Sequence, residues 1–141
     1  MAARASARWE GGIQSGSGTF RAGDTIEGGY TFKSRFEDGP GSNPEQLIGA
    51  AHAACFSMAL TSALEKAGHT PTSIETDASV TLRIVDGRPT IVKVELEATG
   101  DVPGIEDAEF QEHAAAAKAG CPVSRALAGV PEIELRATLA H

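Results

Sequence analysis

The sequence is poor in cysteine, in aromatic side chains and in basic side chains. Its 141 residues include two cysteines, and aromatic residues make up 5%. Lys and Arg number 12 against 19 Asp and Glu, which leaves a formal net charge of −7 with the basic residues scattered along the chain. Because phosphate contacts need clustered basic side chains, no nucleic acid partner is expected. The length fits a single domain, residues 1–141, with a hydrophobic core of ordinary size.

Long apolar runs are also missing. The first ten residues lack the apolar stretch of a signal peptide, which argues against export. Polar side chains interrupt the longest apolar segment, residues 47–64, so neither a membrane span nor a membrane partner is expected. The expected compartment is therefore the reducing cytoplasm, where structural disulfides are rare. A disulfide within the chain must join Cys55 and Cys121, and a transient catalytic one fits that compartment better than a permanent one.

The first third of the chain predicts glycine-rich β structure. Residues 7–10 and a second run ending at Phe20 indicate a hairpin, and residues 30–32 indicate a third strand. Gly28 and Gly29 are interpreted as turn residues before that strand, because glycine enters the left-handed region at little cost.

A long helix is predicted over residues 44–67. Asn43 is a favoured N-cap, Pro44 suits the first helical turn, and Gly68 is placed as a C-terminal stop. Small and apolar side chains at three- and four-residue spacing predict a helix that is largely buried. A subunit of this size has few other residues with which to cover such a helix, so a homodimer is expected. The predicted buried face consists of Leu47, Ile48, Ala51, Cys55, Met58, Ala59 and Ser62.

The second half predicts two strands, two helices and a last strand. Period-two alternation indicates the strands, and Asp86 with Gly87 supplies a turn between the first two. Together with the first half, the predicted order is βββ-α-ββ-αα-β, which is an α+β domain. The predicted elements are strands 79–85 and 90–97, helices 107–119 and 122–127, and strand 132–139.

The two cysteines have different predicted environments. Cys55 lies at mid-helix, where a free cysteine ordinarily acts as a small buried hydrophobic residue. Cys121 lies between Gly120 and Pro122 and can cap the short helix, where free N–H groups lower the pKa of a thiol. A zinc site of Cys55, His52 and Cys121 is disfavoured because the spacing offers no fourth ligand. His52 is interpreted as a polar residue on the flank of the helix.

Two such thiols can support peroxide reduction. A thiolate attacks the peroxide and becomes a sulfenic acid, which a second thiol converts to a disulfide. A mid-helix Cys55 thiolate needs a cation; Arg35 is the candidate, and Glu45 can orient its guanidinium. A straight helix separates Glu45 from Cys55 by ~15 Å. We therefore expect Glu45 to serve the Cys55 of a partner subunit.

Several blocks of the sequence resemble the signatures of the OsmC (osmotically inducible protein C) family. The longest covers residues 43–60 around Cys55, and another covers residues 117–124 around Cys121. With shorter matches at residues 7–11, 35–37, 71–74 and 102–105, the resemblance covers nearly the whole chain. It implies an intertwined homodimer in which β-sheets wrap two central helices, with two shared active sites at the interface.

The resemblance also implies an organic hydroperoxide peroxidase. By this resemblance, Cys55 is expected to be the peroxidatic cysteine and Cys121 the resolving one. Arg35 is expected to activate the thiolate, and Glu45 to pair with Arg35. The implied reductant is an external dithiol, a dihydrolipoyl group or lipoylated protein, with no bound cofactor or metal. The related organic hydroperoxide resistance (Ohr) proteins carry their thiolate-activating arginine in the first hairpin. Residues 14–18 of this chain contain no arginine. This difference favours the OsmC branch and leaves activation of the thiolate to Arg35.

Two other functions stay open at this point. One is a redox sensor or stress-related binding protein that uses the same disulfide without rapid turnover. The other is a structural or ligand-binding dimer in which both thiols are buried and resist alkylation. For the peroxidase, an alkyl or aryl tail needs an apolar surface near the thiol. The residues expected to offer it, which can equally be core residues, are Phe36, Leu47, Ile48, Phe56 and Met58.

Overall fold

The computed structural model describes residues 1–140 as two compact units. The first unit comprises residues 1–47 and the second begins at Ile48, so the boundary falls within one continuous helix. The order of elements is the predicted α+β order with one addition, the short helix α1. The elements are β1 (Ala5–Glu10), β2 (Ser17–Ala22), β3 (Ile26–Tyr30), α1 (Phe32–Phe36), α2 (Pro44–Lys66), β4 (Ser73–Val85), β5 (Arg88–Asp101), α3 (Asp107–Gly120), α4 (Pro122–Ala126) and β6 (Glu132–Leu139).

Strands β1, β2 and β3 form an antiparallel sheet in the first unit. The predicted hairpin is confirmed, but the third strand begins and ends earlier than expected. Gly28 and Gly29 lie inside β3 rather than in a turn. Gly28 stands opposite Phe20, and a Cβ at Gly28 would lie 2.9 Å from the Phe20 ring. This glycine therefore provides space for an aromatic side chain rather than a left-handed turn.

Helix α1 occupies the segment where the third strand was expected to end. Thr31 caps it: the Thr31 hydroxyl accepts from the backbone N–H of Ser34, and the Ser34 hydroxyl accepts from the backbone N–H of Thr31. This reciprocal capping stabilises a helical turn at Phe32, in place of the extended conformation that its aromatic composition favours.

Helix α2 begins and ends close to the predicted residues. The Asn43 side chain accepts a hydrogen bond of 2.8 Å from the backbone N–H of Gln46. Gly68 follows the helix with a φ of +90°, a left-handed conformation that glycine adopts without steric cost. The predicted N-cap and C-terminal stop are therefore confirmed.

The buried face of α2 is a different one from the face that was predicted. His52, Phe56, Leu60 and Leu64 have no exposed surface, whereas Met58 is 76% exposed. The four buried residues recur at intervals of four, which places them in one row along the helix. Phe56, Leu60 and Leu64 belong to the same hydrophobic cluster as the buried side chains of β5 and α3.

Helix α2 is long and apolar enough to cross a membrane by length and composition. The polar residues in this segment do not bring its average hydropathy down, because the small residues between them keep it high. This is weak evidence for a membrane span, because the core helix of a soluble protein meets the same criterion. The chain itself buries 28% of the apolar window, so the helix is not largely buried by its own subunit.

The sheet of the second unit has the order β4-β5-β6. Strands β4 and β5 are antiparallel and joined at Asp86 and Gly87, which have φ values of 51° and 77°, as the predicted turn requires. Strand β6 runs parallel to β5, so the chain must cross over between them, and it does so through α3 and α4. Helix α3 contributes its buried residues Phe110, Ala114 and Ala117 to the core.

The contact between Gly100 and Phe110 generates a stability prediction. A Cβ at Gly100 would lie 2.6 Å from the ring of Phe110, which is fully buried and cannot move aside cheaply. Gly100→Ala is expected to lower the free energy of unfolding by about 1–3 kcal/mol, the usual cost of overpacking. Urea denaturation measures this change. The matched control is Gly129→Ala, where nothing lies within 4 Å; equal stability of both variants would contradict the prediction.

Candidate active site

The sulfur atoms of Cys55 and Cys121 lie next to each other in the second unit. Cys55 lies on α2 and Cys121 between α3 and α4, and their Sγ atoms are 2.9 Å apart. Both are free thiols. Because a disulfide bond is about 2.05 Å long, the two sulfurs need to approach by less than ~1 Å to become bonded. The geometry therefore permits a Cys55–Cys121 disulfide within one chain.

The start of α4 determines the position of Cys121. Helix α3 ends at Gly120, and Pro122 occupies the first position of α4. The Sγ of Cys121 accepts a hydrogen bond of 3.4 Å from the backbone N–H of Ser124. Cys121 is thus the N-cap of α4, and this prediction from the sequence is confirmed.

The two thiols differ in their access to solvent. Cys121 has no exposed surface, whereas Cys55 is partly exposed. A dissolved molecule can therefore contact Cys55 within this chain, while it cannot contact Cys121 without a movement of the surrounding residues.

The two thiols also differ in their tendency to ionise. Burial raises the pKa of Cys55, and its hydrogen bond with Cys121 raises it further. Burial also acts to raise the pKa of Cys121, but hydrogen bonds from Cys55, Ser124 and Val123 outweigh it and the pKa is lowered. The two thiols are hydrogen-bonded to each other at 2.9 Å. The opposite pKa shifts make Cys121 the more readily ionised of the two.

His52 lies in the core rather than on the flank of α2, so its interpretation from the sequence is wrong. Its side chain is fully buried, and its Nε2 atom lies 2.7 Å from the hydroxyl of Ser124. Burial lowers the pKa of His52, which keeps the ring neutral. Within residues 1–140, no group of three His, Cys, Asp or Glu side chains could hold a metal ion.

Arg35 and Glu45 form an ion pair in the first unit. The Nε of Arg35 lies 2.9 Å from Oε1 of Glu45. Glu45 is buried, and its second oxygen, Oε2, has no hydrogen-bond partner among the described residues. The Arg35 guanidinium also lies over the ring of Phe36, 5.4 Å from its centroid. The sequence predicted this pairing, and the structure places the two side chains together.

Hydrogen bonds around Ser34 hold the ion pair in place. The hydroxyl of Ser34 donates to the carbonyl of Ser42 at 2.8 Å, and the Asn43 side chain donates to the carbonyl of Ser34 at 2.9 Å. These bonds attach α1 to the residues that begin α2. As a result Arg35, on α1, faces Glu45 in the first turn of α2.

A family model described as OsmC-like protein matches residues 37–136 of the chain. The chain belongs to the OsmC-like family. The Peroxiredoxin OsmC of Escherichia coli (strain K12) is 51% identical over 123 residues, which is 86% of each chain. The Organic hydroperoxide resistance protein of Xanthomonas axonopodis pv. citri is 39% identical over 104 residues, 72% of this chain and 69% of that one.

Solved structures of this family share the fold of the OsmC-like chain. The Organic Hydroperoxide Resistance Protein OhrB of Bacillus subtilis matches with a TM-score of 0.74 and 26% identity, over 99% of this chain and 98% of that one. An OsmC-like protein from Mycoplasma pneumoniae matches with a TM-score of 0.78 over 100% and 99% of the two chains. Its identity is 17%, so that likeness concerns the fold alone.

The sequence predicted four site residues, Cys55, Cys121, Arg35 and Glu45, and gave no indication of the contact between His52 and Ser124. The structure brings Cys55 and Cys121 together and, separately, Arg35 and Glu45; their catalytic roles remain predictions. His52 and Ser124 were missed as partners of each other. The signal that could have shown the burial of His52 is its position four residues before Phe56, in register with Leu60 and Leu64.

The apolar residues for which the sequence left a substrate-contacting and a core role open differ in burial. Phe56 is fully buried in the hydrophobic core, which is the second of those roles. Leu47 and Ile48 are half-buried. Met58 is 76% exposed three residues after Cys55, and Phe36 is 37% exposed beside Arg35. These two retain exposed apolar surface in the single chain.

The difference in access predicts the order of alkylation. In native reduced protein, iodoacetamide is expected to modify Cys55 first, because Cys121 has no exposed surface. Peptide mass spectrometry after short reaction times measures the occupancy of each site, and the unfolded protein in denaturant provides the control in which both react. Preferential modification of Cys121, or resistance of both thiols, would contradict the prediction.

Proposed function

We propose that this OsmC-like chain is a peroxidase that reduces organic hydroperoxides to alcohols through Cys55 and Cys121. The observation that carries the proposal is the 2.9 Å separation of two free thiols. Cysteines that serve only as buried apolar residues need no such approach, whereas a peroxidatic and a resolving cysteine do, because their sulfurs must bond to each other. Relatives named as a peroxiredoxin and as an organic hydroperoxide resistance protein support the same chemistry.

The reaction consists of two steps in the protein. The Cys55 thiolate attacks the terminal oxygen of the hydroperoxide; an S–O bond forms, the O–O bond breaks, and the alkoxide leaves as the alcohol after taking a proton. Cys121 then attacks the Cys55 sulfenic acid, so that an S–S bond forms and water leaves. Cys55 takes the first role because its sulfur is partly exposed while that of Cys121 is buried.

Cys55 needs a cation to become a thiolate, because its environment raises its pKa. We assign this role to Arg35, held by its ion pair with Glu45. A buried carboxylate orients the guanidinium, and the partly exposed side chain of Arg35 leaves donors available for a sulfur or a peroxide oxygen. Glu45 and Cys55 are ten residues apart on α2, which separates them by ~15 Å along the helix. This separation favours an arrangement in which the ion pair acts on the Cys55 of a second subunit.

A homodimer is part of the proposal. Helix α2 is long and apolar, yet its own chain buries 28% of its apolar window, and Met58 is 76% exposed. A second copy of the helix would cover this surface and bring the partner's α2 across the site. Exposed apolar residues of this extent on a central helix otherwise carry a cost in solubility.

The disulfide must be reduced from outside the chain, since its two cysteines are both consumed. We propose a dithiol reductant of the dihydrolipoyl type, which transfers two electrons by thiol–disulfide exchange. The reductant would attack Cys55, the more exposed sulfur. Cys121 would then leave as a thiolate, and its lowered pKa makes it the better leaving group.

The cysteine roles generate one prediction. With one equivalent of cumene hydroperoxide, the reduced protein is expected to lose two hydrogens and form the Cys55–Cys121 disulfide. Cys55→Ser should abolish peroxide consumption with a dithiol. Cys121→Ser should undergo one oxidation and then accumulate sulfinic or sulfonic acid at Cys55. Intact mass and a peroxide assay measure both. Full activity of Cys55→Ser would show that the nucleophile is assigned wrongly, and stoichiometric oxidation without turnover would favour a redox sensor.

The role of Arg35 generates another prediction. Arg35→Ala is expected to slow oxidation of Cys55 by at least ~10-fold near neutral pH, because a nearby cation lowers a thiol pKa by roughly 1–3 units. Stopped-flow measurement of the first oxidation isolates this step. Arg21→Ala is the matched control, since it removes an arginine whose ion pair with Glu27 is exposed in the same unit. Equal slowing in both variants would exclude a specific role for Arg35.

A further inference from the structure

His52 is a polar side chain in a row of hydrophobic ones. It precedes Phe56, Leu60 and Leu64 at four-residue intervals and has no exposed surface. Its Nδ1 atom is buried and has no hydrogen-bond partner among the described residues. An unpaired buried nitrogen destabilises the folded state, and a leucine would fill this row without that cost. A function for the imidazole would explain its presence here.

Among residues 1–140, the His52 ring forms one hydrogen bond, and that bond leads toward Cys121, the proposed resolving cysteine. Nε2 of His52 lies 2.7 Å from the hydroxyl of Ser124. The backbone N–H of Ser124 in turn donates to Cys121 Sγ at 3.4 Å. Ser124 therefore lies next to the Cys121 sulfur: burial acts to raise the pKa of Cys121, and hydrogen bonding from Cys55 and from the backbone and side chain of Ser124 lowers it.

The tautomer of His52 decides where the Ser124 hydroxyl donates. Burial lowers the pKa of His52, so the neutral ring has one N–H and one acceptor nitrogen. With the proton on Nε2, the ring donates to the Ser124 oxygen, and the hydroxyl proton is free to turn toward Cys121. With the proton on Nδ1, a buried N–H would have no acceptor, and the hydroxyl would donate to the ring instead of to sulfur.

We propose that His52 is a positioning residue for the resolving step: its Nε2–H holds the Ser124 oxygen so that the Ser124 hydroxyl donates to the Cys121 thiolate. This proposal rests on the Cys55–Cys121 disulfide chemistry proposed above. In that step the Cys121 thiolate attacks the Cys55 sulfenic acid, the S–O bond breaks as the S–S bond forms, and the leaving hydroxide takes a proton to become water. His52 stays neutral throughout and touches no reacting atom.

The test separates the resolving step from the first oxidation. Reduced protein is mixed with one equivalent of cumene hydroperoxide and quenched at increasing times. Intact mass then gives the reduced form, the sulfenic acid trapped with dimedone, and the disulfide. The variants are Ser124→Ala, His52→Leu and His52→Gln; the side-chain amide of glutamine can still donate to the Ser124 oxygen. Thr76→Val is the control, since it removes a hydroxyl hydrogen bond of the same 2.7 Å length, to Ser57, in the same unit.

The expected result is a slower second step with an unchanged first step. Disulfide formation should slow about tenfold in Ser124→Ala and His52→Leu, the size expected for losing one hydrogen bond to a charged sulfur. His52→Gln should restore most of the rate, which a purely space-filling role for His52 does not predict. Thr76→Val should resolve at the rate of the unmodified chain.

Two outcomes would overturn the proposal. One is disulfide formation in Ser124→Ala at the rate of Thr76→Val; the other is a His52→Gln variant as slow as His52→Leu. If His52→Leu does not fold, the other two variants still decide the question. Ser124→Ala removes the Ser124 hydroxyl, and His52→Gln conserves an N–H donor to the Ser124 oxygen. Absence of both sulfenic acid and disulfide in the unmodified chain would instead reject the proposed peroxidase function.

Discussion

The close approach of the Cys55 and Cys121 sulfurs is the constraint on which the chemistry of this chain depends. Two residues separated by 66 positions stand 2.9 Å apart as free thiols. Holding them there requires that one row of α2 be fixed against the core and that α4 start at one definite place. Phe56, directly after Cys55 and fully buried, provides the first requirement. Pro122 and the bond from the Ser124 amide to the Cys121 sulfur provide the second. Packing and capping thus act together to place two reactive atoms.

The same arrangement divides accessibility and acidity between the two sulfurs. Cys55 is reachable but has a raised pKa, whereas Cys121 is buried and has a lowered one. A peroxidase needs an accessible thiolate, so a chain of this kind must bring a cation to Cys55 from elsewhere. The Arg35–Glu45 ion pair is formed without any involvement of the cysteines. In the proposed dimer, one chain would supply the ion pair and the other the thiol, and the partner would also cover the exposed apolar surface of α2.

Local signals in the sequence predicted most of the fold, and the failures have physical reasons. The caps of α2, the Asp86–Gly87 turn and Cys121 as an N-cap depend on neighbouring residues, so sequence reasoning found them. Helix α1 was missed because its Thr31 and Ser34 cap has no acidic residue at the third position, which weakens the usual signature. The buried face of α2 was misassigned because alanine on every side makes several faces equally apolar; only the sheet selects the row containing His52.

His52 shows why a site can extend beyond the residues that react. The two cysteines and the Arg35–Glu45 pair are recognisable from the sequence because their residue types have the required chemistry. A histidine proposed to act through a serine hydroxyl cannot be recognised from the sequence, because His52 and Ser124 are 72 positions apart. Only the fold brings them into contact. The unpaired Nδ1 indicates that stability alone does not account for the ring. Accurate placement of the second sulfur matters because a sulfenic acid that waits for its partner is open to irreversible oxidation. In the proposed reaction, a hydrogen bond that lowers the pKa of Cys121 and holds its sulfur in place would therefore protect Cys55 as well as speed disulfide formation.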